Sequence, residues 1–126
     1  MKKRSVLLQL ARDSIHEVFE AKRSINKQAL LQEHPLLNEK IPTSVNIYLD
    51  DELRGSYTSN EPSKSLIEDI IHNAKKSAFE DKNFTPLSTS EYLSCEIELK
   101  LSTTDGVISE KDPAILKDDS KEQKIQ

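Results

Sequence analysis

The sequence predicts an α+β domain: a small antiparallel sheet flanked by α-helices. Three observations carry this. Apolar residues recur at spacings of three and four over residues 4–22 and 65–80, the period of a helix with one buried face. Apolar and polar residues alternate over 44–49 and 94–102, the period of a strand with one solvated face. Residues 52–58 return directly after an Asp50-Asp51 turn, so two of the strands form a hairpin and are antiparallel.

In the first helix, 4–22, the apolar stripe is Leu7, Leu10, Ala11, Ser14, Ile15, Val18 and Phe19. Arg12, Asp13, Glu17, Glu20 and Lys22 fall on the other face. Residues 24–33 read as a shorter helix with Ser24 as its cap and Ile25, Ala29 and Leu30 inward. Pro35 and Pro42 break the chain before the first strand. There Val45, Ile47 and Leu49 face the core, and Ser44, Asn46 and Tyr48 face water. In the returning arm Leu53 is expected inward, which sends Arg54 to the opposite face.

Ser65 and Glu68 have capping-box spacing ahead of the second long helix, with Ser63 as a rival cap. Its stripe runs through Leu66, Ile67, Ile70, Ile71, Ala74, Ala78 and Phe79. Pro86 ends any continuation, and Ser88 to Glu91 repeats the capping-box spacing, which predicts one helical turn. In the last predicted strand Cys95, Ile97, Leu99 and Leu101 alternate with Glu96, Glu98, Lys100 and Ser102. From Thr103 the alternation fades. The chain therefore divides into a domain at 1–103 and a polar, disordered tail at 104–126.

Composition narrows the function classes. A length of 126 residues suits one domain, and 32% charged residues against 35% hydrophobic ones means a modest core. A net charge of −4 argues against nucleic acid, whose binders carry a basic footprint. One cysteine allows no internal disulfide and fits a reducing cytoplasm. Lys2-Lys3-Arg4 before Val6-Leu7-Leu8 imitates a signal peptide, but Gln9, Arg12 and Asp13 interrupt the run. No stretch approaches the roughly 18 apolar residues of a membrane span, so a cytoplasmic protein is expected.

The chemically suggestive stretch is Asp51-Glu52-Leu53-Arg54-Gly55-Ser56-Tyr57-Thr58, which holds one of only 2 glycines. Gly55 can take φ > 0 or admit a close neighbour to the backbone. Arg54 beside it can present a planar fork of donors to an anion. Leu53-Arg54-Gly55 followed by a small residue resembles the Leu-Arg-Gly-Cys-Ile-Gly signature of the AMMECR family, whose bacterial members are called AmmeMemoRadiSam system protein A. The run from Asn73-Ala74 through Ala78-Phe79 to Asp81-Lys82-Asn83-Phe84-Thr85-Pro86-Leu87 is similar to a second stretch of that family. Glu91, Leu93, the strand 96–102, and Leu7, Leu10, Ala11 and Arg12 continue the resemblance. It covers about residues 5–103.

The departures are specific. Ser56 stands where the family has cysteine, Tyr57-Thr58 replace Ile-Gly, and Asn83 replaces the arginine of Asp-x-Arg-Phe. The chain also ends before the family's usual C-terminal third. The resemblance implies an α+β fold and no established reaction. It implies partners in a Memo-like or a radical-SAM protein. Because strands of longer relatives are missing, the sheet is expected to end on an unprotected edge, which favours a homodimer or a partner-completed sheet.

Each candidate residue has a plain structural reading beside the chemical one. Ser56 as a nucleophile needs a base and an orienting third group, and His16, His34 and His72 stand at no recognisable spacing from it. Its hydroxyl otherwise bonds the local turn. Cys95 lies on the apolar face of its strand, where a thiol packs as a small hydrophobe. His16 and His72 sit at the margins of apolar stripes, outside any zinc pattern. Asp50, Asp51 and Glu52 read as turn residues, not as a cation loop. Asp81 either caps the loop backbone or pairs with Arg54. No metal and no cofactor is expected. The binding residues are Arg54, Gly55, Ser56 and Asp81, with Ser56 as the sole catalytic candidate. These assignments favour a non-catalytic binding or scaffold domain. The alternative is an enzyme or enzyme subunit acting on an anionic small molecule.

Overall fold

A computed structural model describes residues 5–61 and 63–115. The basic run at 2–4, the loop signal at Pro62 and the tail reading over 116–126 lie outside the described residues. Among them the chain runs α1 (Val6–Glu20), α2 (Lys27–Glu33), a 3₁₀ turn (Pro35–Asn38), β1 (Thr43–Leu49), β2 (Glu52–Thr58), α3 (Leu66–Phe79), α4 (Thr89–Ser94), β3 (Glu96–Thr103) and β4 (Gly106–Asp112). The strands form one antiparallel sheet in the order β2-β1-β3-β4. The fold class is α+β, as the alternating and helical periods predict.

α1 starts at Ser5, whose hydroxyl accepts the Leu8 N–H. It ends at Ala21, which takes the left-handed conformation (φ 56°) without a glycine. α3 packs on β1 and β2, while α1 packs on α3 and reaches β3 and β4. Leu10, Ile15, Val45, Ile47, Ile67, Ile70, Ile97 and Leu99 are fully buried between these layers. Each such side chain contributes about 1.5–3 kcal/mol on burial. Phe19 and Phe79 close one end edge to face, their centroids 5.4 Å apart.

Several expectations are corrected. Arg12 and Glu17, placed by the helical period on the polar face of α1, are both buried. Glu17 accepts the N–H groups of Ser24 and Ile25. The Ser24 backbone is thus held by α1, and α2 begins later, capped by Asn26. Ser65 is the cap residue of α3 but makes no side-chain cap bond. Glu68, its expected capping-box partner, pairs with Lys27 instead. The second box does form: Ser88 accepts the Glu91 N–H, and Glu91 accepts the Ser88 N–H.

The largest correction is β4. Gly106–Asp112, expected to belong to the tail, pair along β3 without interruption. Val107 and Ile108 are strongly exposed, at 66% and 55%. The alternation was invisible because the inward positions of β4 carry polar groups. Glu110 accepts the Ser5 hydroxyl, and Asp112 is buried against Arg12.

Candidate functional site

The β1–β2 hairpin turns on Asp50 and Asp51, with φ of 51° and 68°. Two consecutive positive φ values suit the right-handed twist of the strands, and aspartate tolerates them better than most residues. Asp50 and Asp51 therefore make the turn and Glu52 opens β2 opposite Leu49; among the described residues no group fit to hold a metal ion occurs.

The register then slips. Ile47 faces Gly55, but Tyr48 faces Leu53, so Arg54 is the extra residue of a β-bulge. This overturns the expected facing of Leu53. It lies on the open face of the sheet, 47% exposed. Gly55 faces α3, where a Cβ would collide with the Ser77 carbonyl oxygen. The glycine is needed for close approach of helix and strand, not for a positive φ.

The bulge aims Arg54 at the loop after α3. Its Nε and Nη2 donate to the two oxygens of Glu91 at 3.1 and 2.9 Å, a bidentate pair. Thr85 Oγ1 and the Pro86 carbonyl add longer contacts at 3.4 Å, and the Phe84 ring lies 5.7 Å from the guanidinium carbon. The Arg54 side chain is 12% exposed. Its ion-pair partner is thus Glu91 and not Asp81, the partner weighed for it. The Arg54 guanidinium, then the Ser88 N–H, holds the Glu91 carboxyl below its usual value. Asp81 takes the other role weighed for it. It accepts the Ser56 N–H and the Asn83 N–H, both at 2.9 Å, and so ties the loop to β2.

Ser56 sits on the open face. Its hydroxyl donates to Asn46 Oδ1 at 2.6 Å. Asn46 and the Tyr48 hydroxyl both donate to one oxygen of Glu98, at 3.0 and 3.2 Å. Burial, then the Glu98 carboxylate, pushes the Tyr48 phenol above its usual value. Lys111 covers the Tyr48 ring at 4.8 Å and pairs with Glu96. The result is a cross-strand polar ladder from β2 to β4, flanked by Leu53. Ser56 meets an amide there instead of a base. His16 is held near Glu20, His72 contacts Asn73, and His34 ends α2. Cys95 is buried, and that burial pushes its thiol up.

Two buried hubs escaped the sequence reading of roles. Arg12 is 1% exposed and donates to Asp112, to the carbonyls of Tyr92, Cys95 and Pro113, and to the Cys95 sulfur. Asp69 accepts the Thr43 N–H, the Thr43 hydroxyl and the Ser59 hydroxyl, and Asn73 donates into the same cluster. These bonds fasten α3 to the start of β1. The signal available in the sequence was the resemblance itself, since Arg12 and Asn73 both belong to the matched runs.

The comparisons with known proteins agree with this geometry. The model of the AMMECR1 family matches residues 8–117. A solved structure of an uncharacterised protein from Pyrococcus horikoshii is similar, at 27% identity and a TM-score of 0.67. The match covers 75% of this chain and 48% of that one, so this chain spans about half the length of that protein. No curated protein matches. Among the described residues no helix is long and apolar enough to cross a membrane.

Proposed function

The chain belongs to the AMMECR1 family, and on that premise we propose that it is a non-catalytic binding or scaffold domain. It acts through the surface that Arg54, Gly55 and Ser56 build. The observation that carries this is the division of labour around the bulge. Arg54, Gly55 and Asp81 are committed within the fold, to Glu91, to Ser77, and to the N–H groups of Ser56 and Asn83. What they leave outward is a rigid polar ladder, Ser56, Asn46, Glu98 and Tyr48, beside exposed Leu53. Fixed hydroxyl and amide groups next to a tyrosine and an exposed leucine suit recognition of another protein's surface. The catalytic alternative needs a base at Ser56, and the hydroxyl instead donates to an amide oxygen. The family resemblance supplies the first partners to try, a Memo-like protein and a radical-SAM protein. Compartment follows the same reading: a cytoplasmic protein.

Calorimetric titration of those two purified proteins tests the proposal. Leu53→Ser and Tyr48→Ala should keep the melting temperature within a few degrees and weaken binding at least tenfold, the loss typical of a well-packed contact residue. Equal binding by wild type and both variants, or no binding to either protein, contradicts it.

A further inference from the structure

The two edges of the sheet are built differently, and the difference points to a pairing surface. In an antiparallel ladder, successive residues direct their backbone groups alternately to one neighbour and then to the other. On β3, the Ser102 N–H bonds the Pro42 carbonyl on the β1 side. By alternation Leu101, Leu99 and Ile97 turn their backbone groups toward β4, where they face Ile108, Glu110 and Asp112. The N–H and C=O groups of Val107, Ser109 and Lys111 are then directed away from β3. β4 is the last strand of the sheet, so no described strand receives them.

The β2 edge is guarded. A bulge interrupts it at Arg54, and Asp81 takes the outward N–H of Ser56. β4 has neither device. Its register is unbroken, and it carries two exposed apolar residues, Val107 and Ile108, on an edge. Bulges and covering groups are the usual means by which edges are kept from pairing.

We propose that β4 pairs antiparallel with β4 of a second copy of this chain, on a twofold axis through Ser109. The strand's own sequence argues for a second copy as the occupant. Centring on Ser109 sets Val107 opposite Lys111 of the other copy and Ile108 opposite Glu110. No like charges face each other, and the small serine meets itself at the axis. The aliphatic stems of Lys111 and Glu110 cover the two exposed apolar side chains. The outward groups of Val107, Ser109 and Lys111 supply about six backbone hydrogen bonds across the axis. The interface is isologous, so it closes at two copies and continues the sheet to eight strands, twice the four present.

Sedimentation of the 126-residue chain over a micromolar-to-millimolar series tests this. Wild type should pass from monomer to dimer. Ser109→Pro removes an outward N–H without touching the β3 ladder, so it should be monomeric with an unchanged melting temperature. The two changes at exposed Val107 read the register and do not depend on Ser109→Pro folding. Val107→Glu faces Lys111 of the other copy and Val107→Lys meets it with a like charge, so their dimer dissociation constants should differ by roughly tenfold. A monomer throughout, open-ended growth, equal weakening by both Val107 variants, or a folded Ser109→Pro that dimerises like wild type overturns the proposal.

Discussion

Each outer strand of the sheet is anchored by an arginine, and the two anchors differ mainly in burial. At the β4 end Arg12 pairs with Asp112 in the interior, with side chains 1% and 5% exposed. At the β2 end Arg54 pairs with Glu91, with side chains 12% and 32% exposed. Both guanidiniums also reach backbone carbonyls, so both staple a strand to the chain that follows a helix. The comparison teaches that a charge pair's geometry sets what it connects, while its burial sets what its loss costs. A buried charge left alone cannot be rehydrated without opening the core. A partly exposed one is met by water.

The comparison predicts an ordered series of effects. Arg12→Ala takes the guanidinium away from the buried Asp112 carboxylate and should cost about 3–5 kcal/mol in urea unfolding, a large share of a small domain's stability. Arg12→Leu with Asp112→Leu should recover most of that loss, because both charges leave the interior together. A cost below about 1 kcal/mol for Arg12→Ala would break the comparison at its stronger side.

Gly55→Ala comes next. The added methyl must push the Ser77 carbonyl, which belongs to the backbone of α3, so the strand and helix have to separate. The expected loss is about 1–3 kcal/mol, read as a lower urea midpoint. Arg54→Ala should cost less, about 1–2 kcal/mol, since water reaches both partners and replaces part of the charge-assisted bonding. Arg54→Lys should restore only part of it, because an ammonium cannot make the bidentate pair. Arg54→Ala matching Arg12→Ala in cost would show that burial does not separate the two anchors.

The smallest effect is pH dependence. Glu91 is held below its usual carboxyl value in the folded state. Its contribution is therefore present above the unfolded carboxyl range and is lost as pH falls through the lower folded value. Urea midpoints of wild type and Glu91→Gln should converge on going from about pH 7 to about pH 3, where acid has removed the charge that the variant lacks. A gap that stays constant over that range would assign the Glu91 contribution to its cap bond with Ser88 alone.

Much of the fold was legible because its core obeys simple periods. α1, α3 and the β1–β2 hairpin follow apolar spacing, and Ser88 to Glu91 is a capping box in the sequence and in the structure. What was hidden has a common cause: polar groups in inward positions and one extra residue. Arg12 reads as surface on a helical period, yet it is buried because five acceptors surround it. Asp112, its partner, and Glu110 then made β4 look like tail. The bulge at Arg54 inverted the facing of Leu53, since one inserted residue puts the side chains on its two sides out of step, and Leu53 no longer shares the inward face of Gly55. At the candidate site the cap weighed for Asp81 and the close neighbour weighed for Gly55 are present, while the partner of Arg54 is a residue not weighed for it. Asp81 caps, Glu91 pairs, and Gly55 makes room.

The contrast between a guarded and an open edge is tested most directly by amide hydrogen exchange, followed by NMR on dilute and concentrated samples. The Ser56 N–H, bonded to Asp81, should be protected at both concentrations. The N–H groups of Val107, Ser109 and Lys111 should exchange freely when dilute and gain protection of at least tenfold when concentrated, as pairing buries them. Ser56 exchanging as fast as Ser109 in the dilute sample, or Ser109 equally protected in both, would contradict the account.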